Sequence, residues 1–157
     1  CVCDLANGTE AVCTPGGGGS FPADAVVIEC YDDGGVFGGN ESWPDLQGLD
    51  LLQEFYIEHV SAEGELDVLG ELPSLTVLRT GPGVELRSFP EGLTASSTLQ
   101  NLTIASSQLE NVSDGLWVLA SLINFELNST GLECLSPLSW VTDASLSLNG
   151  ETPAVIC

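Results

Sequence analysis

The residues of this chain that could do chemistry are carboxylates, cysteines and Asn-x-Ser/Thr triplets. Asp and Glu number 23 against two basic residues, Arg79 and Arg87, with no Lys, for a formal net charge of −21 over 157 residues. Phosphate neutralisation needs Lys and Arg, so nucleic acid is excluded as a partner, and an anionic membrane surface is disfavoured. The missing Lys also removes phosphate loops ending in GK[ST] and every Schiff-base mechanism. The one histidine, His59, would have to serve any nucleophile–His–carboxylate set. It stands among Glu54, Glu58 and Glu63 at a strand end, which reads as a solvated side chain on an acidic face. Paired carboxylates are so abundant that no pair singles itself out for general acid and base work. The reading is therefore non-enzymatic, with no catalytic, cofactor-binding or metal residues.

Asp32-Asp33-Gly34-Gly35 lacks the spaced D-x-D-x-D-G calcium loop and reads as an acidic turn. Loosely held Ca²⁺, as a diffuse counter-ion cloud, is the one cofactor this charge would attract. Trp117 and Trp140 lie between Leu positions, Trp43 stands with Leu46 and Leu49 in an apolar set, and all three read as packing residues rather than a carbohydrate platform.

Six cysteines form two groups, Cys1, Cys3, Cys13 and Cys30 at one end and Cys134 and Cys157 at the other. No paired C-x₂-C knuckles are present, so the even count reads as two disulfide-stapled ends rather than zinc. Cys134 is expected to pair with Cys157, folding the tail back over the last turn. Sequence alone leaves the first four with three connectivities. Asn7, Asn40, Asn101, Asn111 and Asn128 each begin an N-x-[ST] triplet, five of seven Asn, and read as N-glycosylation acceptors. Both features predict a secreted, extracellular protein. No apolar run is long enough to insert in a membrane. A first residue of Cys1 reads as a mature end after leader removal.

The elements that would position these groups recur. Leu52-x-x-Phe55-x-Ile57 returns as Leu75-x-x-Leu78-x-Thr80, Leu99-x-x-Leu102-x-Ile104 and Leu122-x-x-Phe125-x-Leu127, with a weaker copy at Leu146-x-Leu148. The steps are 23, 24, 23 and 21 residues. A short strand buries alternate side chains, and one turn cannot bury its Leu alone, so turns must stack on a shared core. The segments between carry Leu66, Leu69, Leu72, Leu116 and Leu119 at helix-like spacing, broken by Gly and Pro, which predicts short 3-10 or loose helical turns rather than long helices. Ala25–Cys30 reads as a first, capping strand and Gly16–Ser20 as a flexible loop. Residues 1–45 read as a cysteine-rich cap with that strand, 46–148 as the repeats and 149–157 as a capping tail, one domain overall.

This pattern resembles the leucine-rich repeat family in its L-x-x-L-x-L-x-x-N-x-L form, nearest the plant-type variant, over Leu46 to Leu148. The resemblance implies a right-handed α/β solenoid with a parallel sheet and irregular or 3-10 convex segments. It also implies a cysteine-rich cap pairing Cys1 with Cys13 and Cys3 with Cys30. The Asn that follows each strand in the family is replaced by Val60, Gly83, Ser107 and Thr130, of which Ser107 and Thr130 can partly substitute.

Two functions are consistent with these features. The favoured one is a structural coat, matrix or filament subunit whose partners are copies of itself, assembled head to tail because a solenoid exposes an edge at each end. Asn101 and Asn128 support it, because glycans on the concave sheet would obstruct a protein ligand. The alternative is a ligand-recognition module for an extracellular protein, resembling receptor ectodomains or polygalacturonase inhibitors. Its exposed strand positions are Glu54, Tyr56, Glu58, Thr76, Val77, Arg79, Gln100, Asn101, Thr103, Asn124, Glu126 and Asn128.

Overall fold

In a computed structural model of the chain, the described residues are 2–5, 8–14, 20–31, 46–58, 65–81, 83–106, 108–110, 112, 116 and 118–129. Seven strands form one sheet in chain order: β1 (Val2–Leu5), β2 (Glu10–Thr14), β3 (Val27–Cys30), β4 (Glu54–Ile57), β5 (Val77–Thr80), β6 (Asn101–Ser106) and β7 (Asn124–Ser129). The strands β2 to β7 are all parallel, and β1 closes one edge antiparallel to β2. At about 4.8 Å per strand the sheet is about 29 Å wide.

The repeat positions fall in register. Ile28, Phe55, Leu78, Leu102 and Phe125 face one another strand to strand and form a single buried row. A second buried row runs Cys30, Ile57, Thr80. Residues between these rows are half-buried or exposed, the period-2 alternation expected of a sheet packed on one side.

A backbone ladder runs along the start of the strands. Each of the carbonyls of Thr9, Val26, Gln53, Thr76 and Gln100 accepts two successive N–H groups from the next turn, at 2.7–3.1 Å. Side-chain hydroxyls reinforce it: Thr98 donates to the Leu75 carbonyl at 2.8 Å and Ser121 to that of Leu99 at 2.9 Å.

Opposite the sheet, the connections are 3-10 turns at Glu65–Glu71 and Glu91–Ala95, as the broken Leu spacing predicts. Leu66, Leu69, Leu72, Leu93, Leu116 and Leu119 point inward from this side and meet the strand rows in one core. Fully burying a Leu is worth about 1.5–3 kcal/mol, so the stacking of turns carries most of the stabilisation. The two 3-10 turns touch backbone to backbone. A Cβ on Gly70 would collide with the carbonyl of Gly92, and one on Gly92 with the carbonyl of Asp67, while the Gly92 N–H donates to Asp67 Oδ1 at 2.9 Å. Only glycine admits that approach.

Two sequence expectations are corrected. Ala25–Cys30 does not begin the sheet, because a β1–β2 hairpin precedes it. Gly8 lies in the connection of that hairpin, with φ 76°. Asn-Gly between two apolar runs is a strong hairpin signal in its own right.

Of the four positions matched to the family Asn, Gly83 alone is among the described residues. Gly83 is exposed with φ 82°, and Val60, Ser107 and Thr130 lie outside the described residues. Thr80 and Ser106 are buried polar residues within the strands, and Thr80 Oγ1 accepts the Ala105 N–H at 2.9 Å.

The expected Cys3–Cys30 bridge is absent, and Cys30 is a buried free thiol. Register explains it. Cys3 faces Cys13, and Cys13 in turn faces Cys30, so β2 separates the two cysteines. Two strand spacings put their Cα atoms about 10 Å apart, beyond the ~7 Å limit for a disulfide. Cys13 itself is disulfide-bonded. Cys1, Cys134 and Cys157 and the strand expected at Leu146 lie outside the described residues.

Candidate functional site

The open face of the sheet is where chemistry-bearing side chains collect. Alternation places Val27 and Glu29 of β3 there, Glu54 and Tyr56 of β4, Val77 and Arg79 of β5, Asn101 and Thr103 of β6, and Asn124 and Glu126 of β7. The register aligns Glu29, Tyr56, Arg79, Thr103 and Glu126 in one row across five strands. Every concave-face position expected from the repeat, from Glu54 to Asn128, is half-buried or exposed.

The face divides at Arg79. On the β3–β5 side, a depression of about 210 Å³ is lined by Val27, Glu29, Tyr31, Glu54, Tyr56 and Arg79 among others. On the β5–β7 side, a larger one of about 430 Å³ is lined by Arg79, Asn101, Thr103, Asn124 and Glu126 among others. Arg79 is exposed and borders both.

The first depression has a defined local geometry. Tyr31 and Tyr56 are in ring contact, centroids 5.5 Å apart and planes at 54°. Each hydroxyl donates to a carboxylate two residues away along the chain, Tyr31 to Glu29 Oε2 at 2.8 Å and Tyr56 to Glu58 Oε2 at 3.1 Å. Burial, together with the Glu29 hydrogen bond and neighbouring carboxylate charge, pushes the Tyr31 phenol up to about 12. Burial and Glu58 likewise raise Tyr56, with Arg79 opposing the rise. Both phenols are therefore neutral donors across the physiological range.

Gly81, the residue after β5, leaves room for this pair. A Cβ there would stand 2.5 Å from the Tyr56 hydroxyl and 3.1 Å from Glu58 Cγ.

The β6–β7 side is held by amides. Asn124 Nδ2 donates to Asn101 Oδ1 at 2.6 Å, and Asn128 Nδ2 to Glu126 Oε1 at 3.0 Å, while Asn128 Oδ1 is buried without a partner among the described residues. Two of the five sequon asparagines, Asn101 and Asn128, thus stand on this side of the face. Asn7, Asn40 and Asn111 lie outside the described residues, as do His59, Asp32, Asp33 and the three tryptophans.

Glu29 and Tyr31 were not legible as site residues from the repeat pattern, which begins only at Leu52. The signal is nonetheless present: Glu29-Cys30-Tyr31 and Tyr56-Ile57-Glu58 are the same alternation with acid and aromatic exchanged. Among the described residues no group of three or more His, Cys, Asp or Glu is arranged to hold a metal ion, and no helix is long and apolar enough to cross a membrane. No family model, curated protein or solved structure matches the chain.

Proposed function

We propose that this chain is a non-enzymatic, extracellular, N-glycosylated protein of leucine-rich-repeat type with a structural role, assembling with copies of itself as a coat, matrix or filament subunit. The observation that carries this reading is the state of the β6–β7 face. Its amides and carboxylate are committed to one another, Asn124 to Asn101 and Asn128 to Glu126. The same amides include two sequon asparagines, so glycans on Asn101 or Asn128 would stand over a surface that a protein ligand would need. A stack of rungs repeating every 23 or 24 residues is also a one-dimensional object, suited to end-to-end growth. With a net charge of −21, such growth requires screening by salt or divalent cations.

The test is electron microscopy of the unreduced glycoprotein beside its solution mass, with and without calcium. Rings or filaments that form on adding the cation support the reading. A monodisperse monomer at high concentration in both conditions overturns it.

A second reading, recognition of an extracellular partner on the concave face, is favoured by one specific observation. The β3–β5 side carries no sequon asparagine among the described residues, and it holds the depression between Tyr31, Tyr56 and Arg79. Glycan mapping separates the two readings, because the recognition surface needs this side to be bare.

A further inference from the structure

Resting on the recognition reading, we propose that the square formed by Glu29, Tyr31, Tyr56 and Glu58 docks a cationic side chain, an ammonium or guanidinium carried by a basic extracellular partner. The parallel pairing of β3 with β4 sets Glu29 beside Tyr56, and the next exposed position brings Tyr31 beside Glu58. Acid and aromatic therefore alternate around four corners. The tyrosines occupy one diagonal, in ring contact, and the carboxylates the other.

A cation seated over this square would lie beside two tyrosine rings and between two carboxylates. Ring faces attract cations through their quadrupole, and the carboxylates supply full charge. Each tyrosine hydroxyl is turned onto a carboxylate oxygen, so both carboxylates are held in place before the cation arrives. Gly81 keeps the corner at Tyr56 and Glu58 unobstructed. The adjoining depression of about 210 Å³ is lined by Glu29, Tyr31 and Tyr56 of the square, with Glu54 and Arg79 but not Glu58, and admits a side-chain head rather than a folded element.

Charge complementarity selects the occupant. A chain with 23 acidic and two basic residues steers basic partners toward it and repels acidic ones. Arg79 then sets the register. It lies one strand beyond Tyr56, about 5 Å away along the row. A partner that places its cation on the square must offer Arg79 an acceptor one step further, a backbone carbonyl or a carboxylate. A second cation at that step would be repelled.

Diffuse charge would attract any polycation, so the test uses monovalent probes. The chain has only two tyrosines, and both are in the square, so tyrosine ring resonances in NMR report this site alone. The full chain is titrated with Nα-acetyl-arginine N-methylamide, with the neutral Nα-acetyl-glutamine N-methylamide, and with a neutral disaccharide. The expected result is a saturable shift of both rings with the cationic probe only. Binding should weaken about fivefold in Tyr56→Leu, read on Tyr31, and in Gly81→Val, although neither variant changes the net charge. Equal binding of a neutral probe overturns the cationic assignment and leaves the recognition reading standing. Affinity unchanged in both variants also overturns the assignment. No shift with any probe removes this face from recognition altogether.

Discussion

Ser106 closes the turn around Leu86. Its hydroxyl donates to the Leu86 carbonyl at 3.0 Å and accepts the Leu86 N–H at 3.2 Å, and it also accepts the Gln108 N–H at 3.3 Å. One buried side chain thus satisfies three backbone groups across a 20-residue loop. Ser106→Ala leaves buried backbone groups unsatisfied and should cost about 2 kcal/mol in urea unfolding. Ser106→Thr keeps the hydroxyl and should recover most of it. Equal stability of the Ala variant would show that water takes over the staple.

Gly92→Ala should be destabilising for steric reasons alone. The added Cβ meets the backbone of Asp67, which no rotamer change relieves. The expected loss is about 2 kcal/mol, with the two 3-10 turns pushed apart. Gly48→Ala is the control, because Gly48 has open space around it and pays only for φ 80°, about 1 kcal/mol. Thermal unfolding of the pair should rank Gly92→Ala as the less stable.

Alkaline pH should weaken the fold through Tyr31. Its folded pKa, about 12, is above the ordinary value of 10, so the folded state holds the phenolic proton more tightly than the unfolded state. That stabilisation is complete below pH 10 and is lost as pH rises from there through 12. Tyr31→Phe should flatten the decline. Tyrosinate absorbance should show both tyrosines titrating above the free phenol, and a normal titration for Tyr31 would contradict the packing of the square.

Cys30 should resist alkylation in the native protein and react once the chain is unfolded without reductant. Burial pushes its thiol up to about 12, and a thiolate is the reactive form. Cys30→Ala should leave the Cys13 disulfide intact, read as an unchanged mass after non-reducing alkylation apart from the substituted residue.

Much of the fold was legible because burial has a period. Phe55, Leu78, Leu102 and Phe125 recur at nearly constant spacing, and hydrophobic side chains at that spacing can be buried together only if each turn stacks on the last. The Gly- and Pro-broken Leu runs pointed to short 3-10 or loose helical turns rather than long helices, and the described ones are 3-10. The N-terminal hairpin was less legible because Asn7-Gly8-Thr9 fits a glycosylation acceptor and a turn equally well, and only pairing distinguishes them. The site was half legible: Tyr56, Glu58 and Arg79 lay on repeat positions, whereas Glu29 and Tyr31 lay before the period became regular.

The sequence by itself determined the charge, the buried alternation and the repeat length, because these are properties of residue type and spacing. Tertiary structure decided the register, and register decided the rest. Placing β2 between β1 and β3 put Cys3 beyond reach of Cys30 while leaving Cys13 opposite both. Aligning β3 with β4 brought together a Glu-x-Tyr and a Tyr-x-Glu separated by 27 residues and made them one square. A one-residue shift would have turned the same side chains to the opposite side of the sheet.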